Sequence, residues 1–303
     1  MRGGPGASGR RVSRTGKARG GRRRIPPGDG HGEGRWPRTV GETADFRGRR
    51  VLVTGSSGGI GRHIGLAFAR LGADVAFNFH TNREAAEGAV AQARRWGARA
   101  VALGADCAEP GAAQGLVASA ADALGGLEIL VNNVGEFANK RLREHSLEEF
   151  ERIIRGTVGA TFHATMAALP HMRRAGWGRV VNLGATGAEV ALGAWHQGPH
   201  MAGKAGVVSL TRSFALEEAR QGITFNVVSP GVIEDRELSR EEAAGRRDRR
   251  SPVGRPGTSA DVVDAILFLC RPESSFVNGA VLTVSGGWQG NLGAAVRLGP
   301  GVQ

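Results

Sequence analysis

Residues 50–61 read RVLVTGSSGGIG. The first five form a β-branched, apolar run of the kind a parallel sheet buries on both faces. A glycine-rich turn follows, and then apolar residues at helical spacing as far as Leu71, with Gly72 as a stop. Strand, glycine-rich turn and helix in that order have a specific physical use. The glycines let the backbone turn tightly and come close to an anion. The helix N-terminus then offers free N–H groups and a partial positive charge to phosphates. This arrangement predicts a turn that lets a dinucleotide pyrophosphate approach the backbone.

The pattern repeats outward from this stretch. Further strands are expected at 74–78, 100–103, 127–132, 179–183, 224–228 and 280–284, and helices at 60–71, 83–96, 111–124, 147–173, 201–221 and 260–269. Strands alternating with helices of this length predict βαβ units. The fold class is therefore α/β: a Rossmann-type, doubly wound parallel sheet in a single domain, spanning residues 46–290.

The net charge of +12 on 303 residues suggests nucleic acid until it is divided. Residues 1–45 hold 11 basic and 4 acidic side chains, whereas the remaining 258 hold 29 and 24. The Gly-, Arg- and Pro-rich segment 1–45 has too few apolar residues to bury anything and is expected to be disordered. It reads as a solvated tail, or as sequence ahead of a start near Val40, rather than a nucleic-acid arm. Residues 291–303 read as a short C-terminal tail. No window approaches 18 uninterrupted apolar residues, so no membrane span is expected. Cys107 and Cys270 are the only cysteines and lack metal-type spacing. They suit a reducing cytoplasm, and no metal is expected. Tyrosine is absent from the chain.

Several motifs besides the glycine turn occur in a fixed order: Ala105-Asp106, Asn132-Asn133-Val134-Gly135, Ser229-Pro230-Gly231, and Ser274 to Gly279 followed by Ser285-Gly286-Gly287-Trp288. Together they resemble the short-chain dehydrogenase/reductase family, and most nearly its 3-oxoacyl-(acyl carrier protein) reductase branch. The resemblance implies a nicotinamide dinucleotide with its pyrophosphate held at Gly55, Ser57, Gly59, Ile60 and Gly61, Asp106 and Cys107 flanking the adenine, and Asn132 and Gly135 at the adenosine ribose. Pro230, Gly231 and Ile233 would border the nicotinamide. Asn133 reads instead as a residue that fixes backbone between strands. The end of the second strand, Asn78-Phe79-His80-Thr81-Asn82-Arg83, has no carboxylate for a ribose 2′-hydroxyl and offers His80 and Arg83 to a 2′-phosphate. NADP is therefore expected, with NAD as the alternative; Gly58 stands where NADP-preferring relatives often carry Arg or Lys.

The family's chemistry uses Tyr-x-x-x-Lys, a Ser after strand five and an Asn in helix four. Here His200 stands at the Tyr position, Ala185 at the Ser position and Thr157 at the Asn position. Lys204 is retained, one of only three lysines, and is expected under the nicotinamide ribose. A rebuilt site would use His200, Thr186 and Lys204; imidazole titrates near ~6.5 and can move a proton near neutrality. His196 lies four residues before His200 in a loop about two residues longer than usual. The segment after Pro230-Gly231 normally closes over substrate. Its run from Glu234 through Arg250 could grip an acidic substrate, but reads more simply as a solvated charged face. Asp235 falls near the family's Thr that holds the carboxamide.

Three readings stay open. The first is an NADP-dependent oxidoreductase acting on a carbonyl or hydroxyl in a small-molecule substrate, 3-oxoacyl-like or a small ketone, with a non-standard proton donor. The second is a catalytically inactive nucleotide-binding partner or regulator. The third is a dehydration or cyclisation that keeps only the pocket. Small residues in the helix at 156–168 suit close helix packing, and the resemblance implies a homo-oligomer, a tetramer.

Overall fold

In a computed structural model, residues 45–233 and 236–289 are described. The expected tails except Asp45, the pair Glu234-Asp235 and Gly290 lie outside them. Seven parallel strands form one sheet in the order β3-β2-β1-β4-β5-β6-β7. They are β1 (Arg50–Val53), β2 (Asp74–Phe79), β3 (Ala100–Gly104), β4 (Ile129–Asn132), β5 (Gly178–Leu183), β6 (Ile223–Pro230) and β7 (Val281–Val284). The winding reverses between β1 and β4, whose register pairs Val51 with Ile129 and Val53 with Val131. A crevice therefore opens at the carboxyl ends of these two strands, where doubly wound sheets take their ligands.

Strand residues alternate between two cores. Val51, Val53, Val75 and Phe77 face α1 (Gly59–Arg70), α2 (Arg83–Arg95) and α8 (Ser259–Cys270), through Ile64, Phe68, Val90, Val262 and Ile266. Leu52, Ala76, Leu130, Val180 and Phe225 face α3 (Pro110–Leu124), α5 (Ala160–Ala175) and α6 (Gly198–Glu218), through Leu116, Val117, Leu169, Met172 and Phe214. Two positions depart from the expected pattern. The helix expected over 147–173 is α4 (Leu147–Ile154) and α5 joined by a π turn at Arg155–Gly159. A short helix, α7 (Arg240–Ala244), lies in the charged segment after β6. Arg179, polar within a strand, is 1% exposed. Its guanidinium donates to the carbonyls of Gly178, Gly222 and Arg271 and stacks 4.3 Å from the Trp177 ring. Among the described residues no helix is long and apolar enough to cross a membrane.

Helix α1 lies close on β2 because Gly65 has no side chain; a Cβ there would run into the Phe77 ring. Gly65→Ala is expected to lower unfolding stability by about 1–3 kcal/mol, read as a shifted urea midpoint at unchanged slope.

Candidate active site

The turn after β1 is built for a close approach. Gly55 N–H donates to Asn78 Oδ1 (2.9 Å), and Asn78 Nδ2 donates to the carbonyls of Leu103 and Ala105. The turn is thus tied across β2 and β3. On the other side Asn133 Nδ2 donates to the carbonyls of Thr54 and Gly55 (3.1 and 2.9 Å), the backbone-fixing role its position suggests. A Cβ at Gly61 would stand 2.6 Å from the Gly55 carbonyl oxygen, so only glycine lets the helix start this close to the turn. Helix α1 has no side-chain cap and no acidic residue in its first turn, unlike α2, α4, α7 and α8, whose caps are Asn82, Ser146, Ser239 and Thr258. Its first N–H groups are therefore available to an anion.

A residue that sequence reasoning left within a solvated run reaches the same place. Arg236 lies over Gly59: a Cβ on Gly59 would meet Arg236 Cδ at 2.9 Å and Nη1 at 3.0 Å. Its carbonyl accepts from Ser259 Oγ (2.7 Å), and neighbouring Glu237 reaches His63 of α1 at 3.3 Å. A guanidinium beside the positive end of a helix favours an anion between them. Three further arginines of this region are held by acids: Arg240 by Asp261 and Asp264, Arg250 by Asp248, and Arg255 by Asp261.

The adenine and ribose candidates divide. His80 is exposed at the end of β2, and the Arg83 guanidinium stands 5.4 Å from the Phe79 ring. Asp106 Oδ1 accepts from Ala108 N–H (2.9 Å). Cys107 is buried, and burial pushes its thiol up to about 12, so it stays neutral. Asn132 is buried too. Its Nδ2 donates to Asn182 Oδ1 (2.8 Å) and Thr165 Oγ1 (3.1 Å), which ties β4 to β5 and α5, while its buried Oδ1 has no hydrogen-bond partner among the described residues.

The catalytic candidates stand on α6, the loops after β4 and β5, and the π turn. Lys204 is 5% exposed, and its ammonium donates to the Leu183 carbonyl (2.6 Å). Burial lowers it from 10.5 to about 8. A Cβ at Gly135 would meet its Nζ at 2.9 Å, so the glycine keeps the ammonium's approach open. His200 Nδ1 lies 2.8 Å from the Glu136 carbonyl, and its ring stands edge-on to Phe137 at 5.2 Å. Burial lowers its pKa below 6.5; the bond to the Glu136 carbonyl works against this, and the Lys204 charge adds to it. Thr157, within the π turn, accepts the Glu136 N–H (3.2 Å). Thr186 departs from its expected role as a substitute hydroxyl: it donates to the Pro230 carbonyl (3.0 Å), leaving lone pairs and no proton for a substrate carbonyl. Gly231 lies against Ser285, and Ile233 packs toward Gly257. Among the described residues no group of three or more His, Cys, Asp or Glu could hold a metal ion.

A family model described as enoyl-(acyl carrier protein) reductase matches residues 55–289. The chain belongs to the short-chain dehydrogenase/reductase family. It is 36% identical over 245 residues to a (2S)-[(R)-hydroxy(phenyl)methyl]succinyl-CoA dehydrogenase subunit of Thauera aromatica, covering 80% of this chain and 97% of that one. It is 31% identical over 241 residues to the 3-oxoacyl-(acyl carrier protein) reductase of Staphylococcus aureus, covering 79% and 97%. A short-chain dehydrogenase from Burkholderia cenocepacia J2315, solved in complex with NADP, superposes with a TM-score of 0.71 at 33% identity, covering 80% and 98%.

The cradle of Gly55, Gly59, Gly61 and Gly135 with the Lys204 ammonium fits a phosphate-bearing dinucleotide. A buried ammonium with one carbonyl partner is costly to the empty protein. Because the folded pKa of Lys204 lies below its ordinary value, that cost is fully present below pH about 8 and is relieved as pH rises from about 8 to 10.5. Lys204→Met is expected to raise the melting temperature of the cofactor-free protein at neutral pH, with a gain of up to about 3 kcal/mol, and to weaken NADPH binding. Thermal unfolding with and without NADPH checks both signs.

Proposed function

We propose that the chain is an NADP(H)-dependent oxidoreductase that interconverts a hydroxyl and a carbonyl on a small molecule, with His200 as the proton-transfer group. The observation that carries this reading is the pairing on α6. A buried ammonium at Lys204 and an oriented imidazole at His200 lie one helical turn apart, and the ammonium lies against Gly135, the residue after the Val134 that packs on Gly55 of the glycine turn. When bound, the nicotinamide supplies or accepts the hydride.

The remaining chemistry is the chain's own. The first N–H groups of α1 and the Arg236 guanidinium hold the pyrophosphate. Lys204 donates to the nicotinamide ribose hydroxyls, and His200 moves the substrate proton. The absence of an acid at the end of β2, with His80 and Arg83 nearby, favours a 2′-phosphate, as does the NADP held by the Burkholderia relative. Phe162 and Met166, exposed on α5, fit an oligomer built through that helix.

A second reading, a non-catalytic partner chain, is favoured by one observation: His200, Ala185 and Thr157 stand where the family's pattern has Tyr, Ser and Asn. The two separate by experiment. NADPH and NADH are titrated by fluorescence, and turnover is followed in both directions with small ketones, secondary alcohols and 3-oxoacyl and 3-hydroxyacyl thioesters. The expected result is tighter binding of NADPH than NADH, with turnover that falls by about 100-fold or more in His200→Ala. No binding of either dinucleotide at millimolar concentration overturns the cofactor reading. Turnover only after His200→Tyr with Ala185→Ser establishes the partner-chain reading instead.

A further inference from the structure

Two of the positions at which this chain departs from its family are joined in space by one residue. The Glu136 N–H donates to Thr157 Oγ1, and the Glu136 carbonyl bonds His200 Nδ1. Thr157 is fully buried in the π turn, and α6 packs close on it because Gly203 has no side chain: a Cβ there would stand 3.2 Å from the Thr157 Cβ and Cγ2. The Glu136 carboxylate pairs with Arg152 of α4, which fastens the same residue from its other end. Phe137 closes the side of the imidazole ring.

A carbonyl oxygen only accepts hydrogen bonds, so the Nδ1 of His200 carries the proton. In a neutral imidazole the second nitrogen then has none. Among the described residues nothing bonds His200 Nε2. Burial and Lys204 disfavour the imidazolium; the bond to the Glu136 carbonyl favours it without outweighing them, and no carboxylate adds to that bond, because Glu136 is turned to Arg152 and on the flanking loop Lys140 is paired with Glu149. The resting group is an acceptor. A phenol, the family's group at this position, is in contrast a donor near neutrality.

We propose that Thr157 is a positioning residue that acts through the backbone of Glu136 to hold His200 as the Nδ1–H tautomer with Nε2 bare, so that the site takes a proton from a hydroxyl substrate. This rests on the reading of His200 as the proton-transfer group, and it gives the resting site the protonation state for oxidising an alcohol with NADP⁺; carbonyl reduction runs the same step in reverse and starts from the imidazolium. In the step, the substrate O–H bond breaks and its proton passes to Nε2. The carbinol C–H bond breaks and its electron pair leaves as hydride to the oxidised nicotinamide. The C=O bond forms, and the imidazole becomes imidazolium, which solvent later deprotonates. Alcohol oxidation accordingly rises as pH climbs through the lowered His200 pKa, and carbonyl reduction falls over the same range.

The test is the ¹⁵N imidazole spectrum of the full chain near neutral pH, with His200 assigned among the eight histidines by difference against His200→Gln. The expected wild-type spectrum is that of the Nδ1–H tautomer. Thr157→Val, which removes the acceptor for the Glu136 N–H, shifts it toward Nε2–H, and Thr157→Ser restores it. A wild type with Nε2–H, or a folded Thr157→Val with an unchanged spectrum, overturns the proposal. If Thr157→Val does not fold, the wild-type tautomer and its retention in Thr157→Ser decide. The tautomer is read without cofactor, so a failure of NADPH to bind would sink the cofactor reading separately.

Discussion

An ammonium group deep in a protein needs a reason. Lys204 sits at 5% exposure with the Leu183 carbonyl as its hydrogen-bond partner, and its charge is disfavoured enough to bring its pKa near 8. Three donors and one acceptor leave it short of partners. Strand β5 ends at that carbonyl, β4 ends beside Gly135, and α6 enters from above, so three elements converge on one charge. Ribose hydroxyls would complete its coordination, which makes the lysine intelligible as part of a nucleotide site and awkward as a structural residue.

The same convergence gives His200 its setting. It lies one turn before Lys204, against Glu136 and Phe137, in a loop region whose geometry is held by Thr157 of the π turn. Single-turn π segments occur often at functional sites, and here the turn lets Thr157 face the loop after β4 rather than the helix interior. Losing the family's Tyr and Asn reads as decay when each position is taken alone. Taken together, the replacements form a connected set, and a neutral acceptor becomes the proposed tool. Thr186 belongs to the frame, since its bond to the Pro230 carbonyl pins the turn after β6.

Much of this was legible in the sequence. The run at 50–61 specified strand, turn and helix, and each expected strand overlaps an observed one. The local signals worked because strands buried on both faces and helices with one apolar stripe carry their periodicity along the chain. What escaped depends on pairs distant in sequence. Asn132 looked like a ligand residue until its partners Thr165 and Asn182 were in view. Arg236 sat in a mixed charge run, and only the folded chain sets it over Gly59. Thr157 and His200 are 43 positions apart in the numbering, and nothing in composition or spacing announces that both bond one residue. Hydroxyl direction, which moved Thr186 from candidate to frame, is likewise a property of neighbours and not of residue type.

The most direct measurement is a crystal structure of the chain with NADP⁺. The expected density places the pyrophosphate between the first turn of α1 and Arg236, the nicotinamide ribose on Lys204 Nζ, and His200 Nε2 facing the nicotinamide with Nδ1 still on the Glu136 carbonyl. A dinucleotide bound away from Lys204, or a His200 ring turned so that Nε2 bonds the Glu136 carbonyl, would contradict it.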